Sequence, residues 1–159
     1  EKNHKGIEIV NYDVQNVKDL GQPVSEYIDF EDNSSVEVVG TKLLFNPLLF
    51  LAITENPFKQ EKREYPVDFL YPNQNRYNVF IKIPEGYVVE SLPQNKALAM
   101  PDNVASFKMS LTQNEGQIQI MFSFDVNQAV IGAEDYVVLK GLLAELVKKQ
   151  TEKIILKKA

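Results

Sequence analysis

Few side chains in this 159-residue sequence could carry covalent or acid–base chemistry. The sequence contains no cysteine and a single histidine, His4. A thiol nucleophile, a disulfide and a cysteine-ligated metal are therefore excluded, and a Ser-His-Asp triad or a multi-histidine metal site would have to include His4. A position so close to the chain end favours a bystander role. With no phosphate loop and no nucleophile elbow, we expect no catalytic residue, cofactor or metal.

Two groups of carboxylates are the remaining candidates for a site. Asp29, Glu31 and Asp32 cluster at a turn, where a calcium site is one interpretation. The EF-hand spacing is absent, so a solvated hairpin turn is the favoured interpretation. Glu134 and Asp135 stand at the start of a helical pattern, where partnership with the helix dipole is favoured over acid–base catalysis.

Aromatic and basic residues give two weaker candidates. Five aromatic side chains are dense in mid-chain: Tyr65, Phe69, Tyr71, Tyr77 and Phe80. Most alternate with polar residues, which favours a place in the core over a platform for sugar rings. Five lysines form a basic C-terminal cluster: Lys148, Lys149, Lys153, Lys157 and Lys158. A solvated helix end is favoured there over an anionic lipid or glycan site.

Composition and charge exclude several kinds of partner. Lysine and arginine total 17 against 22 acidic residues, which gives a net charge of −5. An acidic domain lacks the positive field that nucleic acid requires, so we expect no nucleic-acid partner. No apolar run reaches the roughly 18 residues of a membrane span. The chain begins Glu1-Lys2-Asn3, and we expect a single domain over residues 1–159, excised from the C-terminal end of a larger chain.

Period-two alternation dominates the sequence and predicts β-strands. Residues 117–126 alternate apolar and polar side chains, as do 104–112, and the polar stretch between them predicts an antiparallel hairpin. Further strands are predicted at residues 6–14 (with a β-bulge at Ile9/Val10), 24–30, 36–45 (with a bulge or bend at Gly40), 66–71, 76–83, 87–92 and 152–158.

One segment near the C-terminus follows the period of a helix. Tyr136, Leu139, Leu143 and Leu146 recur at three- and four-residue spacing, which predicts an amphipathic helix over residues 134–150. Gly141 inside it suggests close approach to a sheet. The fold class predicted is therefore mainly β: an antiparallel two-layer β-sandwich, immunoglobulin-like in general architecture, with one C-terminal α-helix.

Several short motifs resemble a known family. They are Asn56-Pro57-Phe58, residues 63–69 (REYPVDF), Tyr71-Pro72, residues 83–87 (IPEGY), 89–93 (VESLP), 136–140 (YVVLK) and 153–158 (KIILKK). Residues 40–158 resemble domain of unknown function 3858, the C-terminal β-sandwich domain of exported bacterial proteins with a transglutaminase-like core. The resemblance implies an accessory domain with no catalytic residue of its own, and a periplasmic or cell-surface location.

The leading hypothesis from these observations is a non-catalytic accessory or interaction domain. It would pack on the transglutaminase-like core of its parent chain, or present substrate to it, so the expected partners are neighbouring domains, with a peptide or glycan as ligand. Asn46 to Phe58 is an apolar, proline-bounded segment, and its Leu48, Phe50 and Phe58 are the candidates for a docking surface. An ordinary covered edge is the equally weighted interpretation of this segment. The alternative hypothesis is an independent carbohydrate- or cell-wall-binding module.

Overall fold

The structure is a computed structural model that describes residues 6–159. The prediction for His4 therefore lies outside the described residues. The described chain divides into two compact units, one that ends at Glu37 and one that spans Val38–Ala159. The first unit is a two-stranded ribbon, and the second holds the hydrophobic core.

The element order confirms a mainly antiparallel β protein with a single C-terminal α-helix. Twelve strands occur in the described residues: β1 (Ile7–Gln15), β2 (Ser25–Asp32), β3 (Val36–Val39), β4 (Lys42–Phe45), β5 (Val67–Asp68), β6 (Asn73–Lys82), β7 (Tyr87–Ser91), β8 (Lys96–Ala99), β9 (Ala105–Asn114), β10 (Gln117–Val126), β11 (Val130–Ile131) and β12 (Ile154–Lys158). Helix α1 spans Tyr136–Gln150, and 3-10 turns occur at Leu49–Leu51, Pro101–Asn103 and Ala133–Asp135.

Two four-stranded sheets enclose the core of the second unit. Their strand orders are β6-β10-β9-β8 and β3-β4-β12-β7, while β5 and β11 form a small separate ribbon. The central pair β9–β10 follows from strict alternation, since Phe107, Met109, Ile118 and Ile120 all point inward and are almost fully buried. Gly116 closes this hairpin at φ +68, a conformation that glycine adopts without steric cost.

Helix α1 covers one side of this core. Tyr136, Leu139, Leu143 and Leu146 are buried, as the spacing predicts. The expectation for Gly141 is wrong, because a Cβ built there meets nothing within 4 Å. Gly141 lies on the exposed side of the helix, where no sheet packs against it.

Two strand predictions need correction, and two short strands, β8 and β11, were not predicted. The predicted strand over residues 36–45 is two strands, β3 and β4, because Gly40 at φ +61 forms a turn rather than a bulge. The predicted strand over 66–71 shortens to Val67–Asp68, since Leu70 adopts φ +68. Strand β8 was not predicted from the sequence, because its four residues KALA show no clear alternation.

Candidate interaction surfaces

Residues 46–60 contact helix α1 through hydrogen bonds from two asparagines that share a sequence motif. Asn46 and Asn56 each precede a proline and an apolar residue. The side-chain oxygen of each accepts the N–H of the residue two positions on, Leu48 and Phe58, at 2.8 and 2.9 Å. This is an Asx turn, in which the intervening proline has no N–H to satisfy.

The side-chain amide nitrogens of the same two asparagines donate hydrogen bonds to backbone carbonyls of helix α1. Asn46 Nδ2 donates to the carbonyl of Gln150 at 2.8 Å, and Asn56 Nδ2 donates to the carbonyl of Lys140 at 2.9 Å. Because these carbonyls are ten residues apart on α1, the two contacts span about 15 Å of helix. The Asn46 bond also satisfies one of the carbonyls that a helix leaves open at its C-terminus.

Tyr136 and Lys140 add contacts to the end of this segment. Tyr136 Oη donates to the carbonyl of Gln60 at 2.8 Å, and its ring meets Phe58 edge-on with centroids 5.5 Å apart. Lys140 Nζ donates to the same carbonyl at 2.8 Å, and the guanidinium of Arg63 lies 5.8 Å from the Tyr136 ring centroid. The segment therefore covers the helix rather than projecting from it.

The three residues predicted to form a docking surface have different positions. Leu48 is 1% exposed and belongs to the core, so it presents no surface, which corrects the prediction for this residue. Phe58 is half-buried and packs against that core. Of the three, Phe50 alone is exposed, at 39%, and its neighbours Leu51 and Ile53 are exposed to a similar degree. The Asn-Pro motifs explain the difference, because they turn Leu48 and Phe58 toward the helix.

The predicted place of the mid-chain aromatics in the core is wrong for three of the five. Tyr65, Tyr71 and Phe80 are mostly exposed, whereas Phe69 and Tyr77 pack against the core, Tyr77 stacked on Phe122. Tyr71 directly follows Leu70, a non-glycine residue at positive φ whose side chain is 80% exposed. The Asp68 side chain supports this conformation by accepting the Leu70 N–H at 2.7 Å.

The charged groups singled out from the sequence do not converge on a site. Asp32 organises the turn of the first unit, accepting hydrogen bonds from Ser34 and Ser35, and these bonds lower the pKa of its carboxyl. Glu134 and Asp135 lie in the 3-10 turn before α1.

Lys149 is buried and pairs with Glu152 at 2.6 Å, so the prediction of a solvated lysine is wrong there. Within residues 6–159, no three histidine, cysteine or acidic side chains are placed to hold a metal ion.

The ribbon of the first unit has two chemically different faces. Register pairs Ile9 with Phe30 and Tyr12 with Ile28, and the predicted bulge is confirmed between Ile9 and Asn11. The bulge shifts the alternation by one residue, so apolar side chains before and after it share a face. One face is mainly apolar, with Ile7, Ile9, Tyr12, Val14, Ile28 and Phe30, and it carries the carboxylates Glu26 and Asp32 at its two ends. The opposite face is mainly acidic and polar and carries one aromatic residue; its members are Glu8, Asn11, Asp13, Gln15, Ser25, Tyr27, Asp29 and Glu31.

Three apolar side chains on the mainly apolar face of the ribbon are exposed, whereas Ile7, Val14 and Phe30 are half-buried. Ile9 is 62% exposed, Tyr12 55% and Ile28 46%. Within residues 6–159, the sheet that contains β1 and β2 has no third strand. An isolated two-stranded hairpin is marginally stable at best in water, and an exposed apolar face of this kind is typical of an interaction surface.

Comparison with known proteins places this fold in a family. The family described as "Domain of Unknown Function with solved-structure structure (DUF3858)" matches residues 41–156, and the chain belongs to it. No curated protein matches. A solved structure of a "putative protease" from Parabacteroides distasonis is similar, at 12% identity and a TM-score of 0.53. The match covers 62% of this chain and only 19% of that one, and it shows the fold alone.

In the part of the chain that the structure describes, no helix combines the length and the apolar character needed to cross a bilayer.

Proposed function

We propose that this chain is a non-catalytic accessory domain that docks on a neighbouring domain of a longer protein through the apolar face of the β1–β2 ribbon. In this proposal the neighbour is a transglutaminase-like core, as the family resemblance implies, and the longer bacterial protein is exported to the periplasm or cell surface. The exposed side chains of Ile9, Tyr12 and Ile28 on this face are the observation that carries the proposal. The similar solved structure, of which the match covers less than a fifth, supports a place in a longer chain.

The area of this face favours a covalently linked neighbour over a free partner. Nine residues of strand span about 30 Å, and two strands with their side chains are about 10 Å wide, so each side of a contact would bury about 300 Å². A stable complex between separate proteins buries at least about 1,200 Å² in total. A linked domain is present at about millimolar effective concentration, which lets a smaller contact suffice.

Two tyrosines provide a matched experiment. Tyr12 lies on the apolar face and Tyr27 on the acidic face, and they are 55% and 54% exposed. Hydrogen exchange of β1 and β2 would be followed in the longer protein and in the 159-residue chain, for the wild type and for Tyr12→Lys and Tyr27→Lys. We expect protection of the ribbon in the longer protein, loss of that protection in Tyr12→Lys, and retention in Tyr27→Lys. Equal protection in the short chain, or equal effects of both substitutions, contradicts the proposal.

A carbohydrate- or cell-wall-binding module is the second candidate, and the exposed rings of Tyr65 and Tyr71 favour it. Exposed tyrosines can stack on sugar rings. Titration with solubilised peptidoglycan fragments, followed by NMR, tests this function. The candidate predicts shifts at both tyrosines that Tyr65→Ala and Tyr71→Ala abolish, and unshifted tyrosine signals exclude it.

A further inference from the structure

The outer face of the β6-β10-β9-β8 sheet carries a depression of about 350 Å³. Register places Arg76 on β6 opposite Ser123 on β10, and Ser123 opposite Lys108 on β9. A short serine therefore stands between two long cationic side chains in one row across the sheet. Neighbouring strands lie about 4.8 Å apart, so the backbones of Arg76 and Lys108 are about 10 Å apart and both side chains can reach one guest above Ser123.

The charge of this depression is unbalanced. Besides the three residues of the row, its lining comprises Tyr77, Asn78, Ser110, Met121 and Phe122, and it contains no acidic residue. Among residues 6–159, neither Arg76 nor Lys108 forms an ion pair. Asp125, in the next row of β10, accepts a hydrogen bond from the side chain of Gln74. A chain of net charge −5 thus keeps two cations beside one another without a carboxylate between them.

We propose that this depression binds a side-chain carboxylate of an acidic peptide segment between Arg76 and Lys108. The guanidinium offers a planar pair of donors to a carboxylate, and the ammonium adds a point charge. The hydroxyls of Ser110 and Ser123 can donate to the same oxygens. The Asn78 Nδ2 group can donate to a peptide backbone, while its Oδ1 accepts from Gln119 at 3.2 Å. Because the depression is open to water, binding is weak and falls with added salt.

The aromatic rings near the depression favour a peptide over a sugar. Tyr77 and Phe122 stack on each other with centroids 5.5 Å apart, and Phe122 belongs to the core. Their rings point inward, on the face opposite to Arg76 and Ser123. The side chains that line the depression on the outer face therefore present cations, hydroxyls and an amide, and the exposed ring of Phe80 lies beyond Asn78 on the same face, outside this lining.

The test is a titration of the 159-residue chain with end-capped pentaglutamate and, as the neutral control, end-capped pentaglutamine. Backbone amide signals would be followed by NMR at low salt. We expect pentaglutamate to shift the amides of Arg76, Lys108 and Ser123, and pentaglutamine to leave them in place. Arg76→Gln and Lys108→Gln should each weaken the affinity by about threefold to fivefold.

Two further variants separate a site from general charge attraction. Lys82→Gln removes a cation from the same face of β6 outside the depression and should leave the affinity unchanged. Asp125→Asn removes a repelling carboxylate and should tighten binding. The proposal is overturned if pentaglutamate shifts no signal on this face, if Lys82→Gln weakens binding as much as Arg76→Gln, or if Asp125→Asn weakens it. The side chains of Arg76, Lys82, Lys108 and Asp125 all lie on the outer face of the sheet, so their substitution should leave the fold intact. The dispersed NMR spectrum of a folded protein confirms this for each variant.

Discussion

Asn46 and Gln150 are 104 residues apart in sequence, and a hydrogen bond of 2.8 Å joins the side-chain amide of the first to the carbonyl of the second. The side chain of Gln150 returns to the same segment, where its Oε1 accepts the N–H of Ile53 at 2.7 Å. The segment after β4 and the end of α1 therefore exchange hydrogen bonds in both directions, whereas Nε2 of Gln150 is buried without a partner among residues 6–159. This arrangement makes an irregular segment part of the folded core.

Replacing Asn46 should destabilise the second unit. Asn46→Ala removes the acceptor of the Leu48 N–H and the donor to Gln150, and we expect a loss of about 1–3 kcal/mol in the free energy of unfolding. Asn46→Asp keeps the acceptor and loses the donor, so its effect should be intermediate. Urea denaturation measures both. Asn75 is an exposed residue of β6. Asn75→Ala is therefore the control and should change the free energy of unfolding by less than about 0.5 kcal/mol.

Leu48 and Phe50 should differ sharply although they are two residues apart. Leu48→Ala leaves a cavity in the core and should cost about 2–5 kcal/mol. Phe50→Ala removes a partly exposed ring and should cost less than about 1 kcal/mol. Thermal and urea unfolding measure the loss of unfolding free energy in both variants. A large loss for Phe50→Ala would show that its ring is not available for docking.

Gly141→Ala should stabilise the protein by about 0.5–1 kcal/mol. Alanine has the higher helix propensity, and a Cβ at this position meets nothing within 4 Å. Gly116→Ala is the matched comparison, because φ +68 in the β9–β10 turn is unfavourable for a residue with a Cβ. It should lower the melting temperature, whereas Gly141→Ala should raise it. A lower melting temperature for Gly141→Ala would indicate packing on that side of the helix.

The ion pair between Lys96 on β8 and Glu145 on α1 should make stability depend on acid pH. The hydrogen bond and charge of Lys96 lower the pKa of the Glu145 carboxyl below 4.5. A lowered pKa in the folded state stabilises the protein above the unfolded pKa, and this contribution disappears as the pH falls through the folded pKa. NMR titration of Glu145 should give a higher pKa in Lys96→Gln than in the wild type. An unchanged pKa would mean that the pair does not persist in solution.

Local pattern in the sequence determined most of the strands and the helix. Alternation over residues 117–126 predicted β10 with its observed bounds, and the slip at Ile9/Val10 predicted the bulge of β1. The spacing of Tyr136, Leu139, Leu143 and Leu146 predicted the buried face of α1. These features depend on side chains close together in sequence, so the two periods of the backbone reveal them directly. The family resemblance over residues 40–158 was confirmed over 41–156.

Tertiary structure alone decided which apolar residues are exposed and which polar residues meet. Leu48 and Phe50 look equivalent in sequence, and only the Asx turn at Asn46 and the position of α1 bury one of them. Arg76 and Lys108 each occupy the polar face of a strand, but strand pairing through β10 brings them to one row. Hydrogen-bond partners about 100 residues apart and the order of strands in a sheet are long-range properties, and the periodicity of one segment contains no information about them.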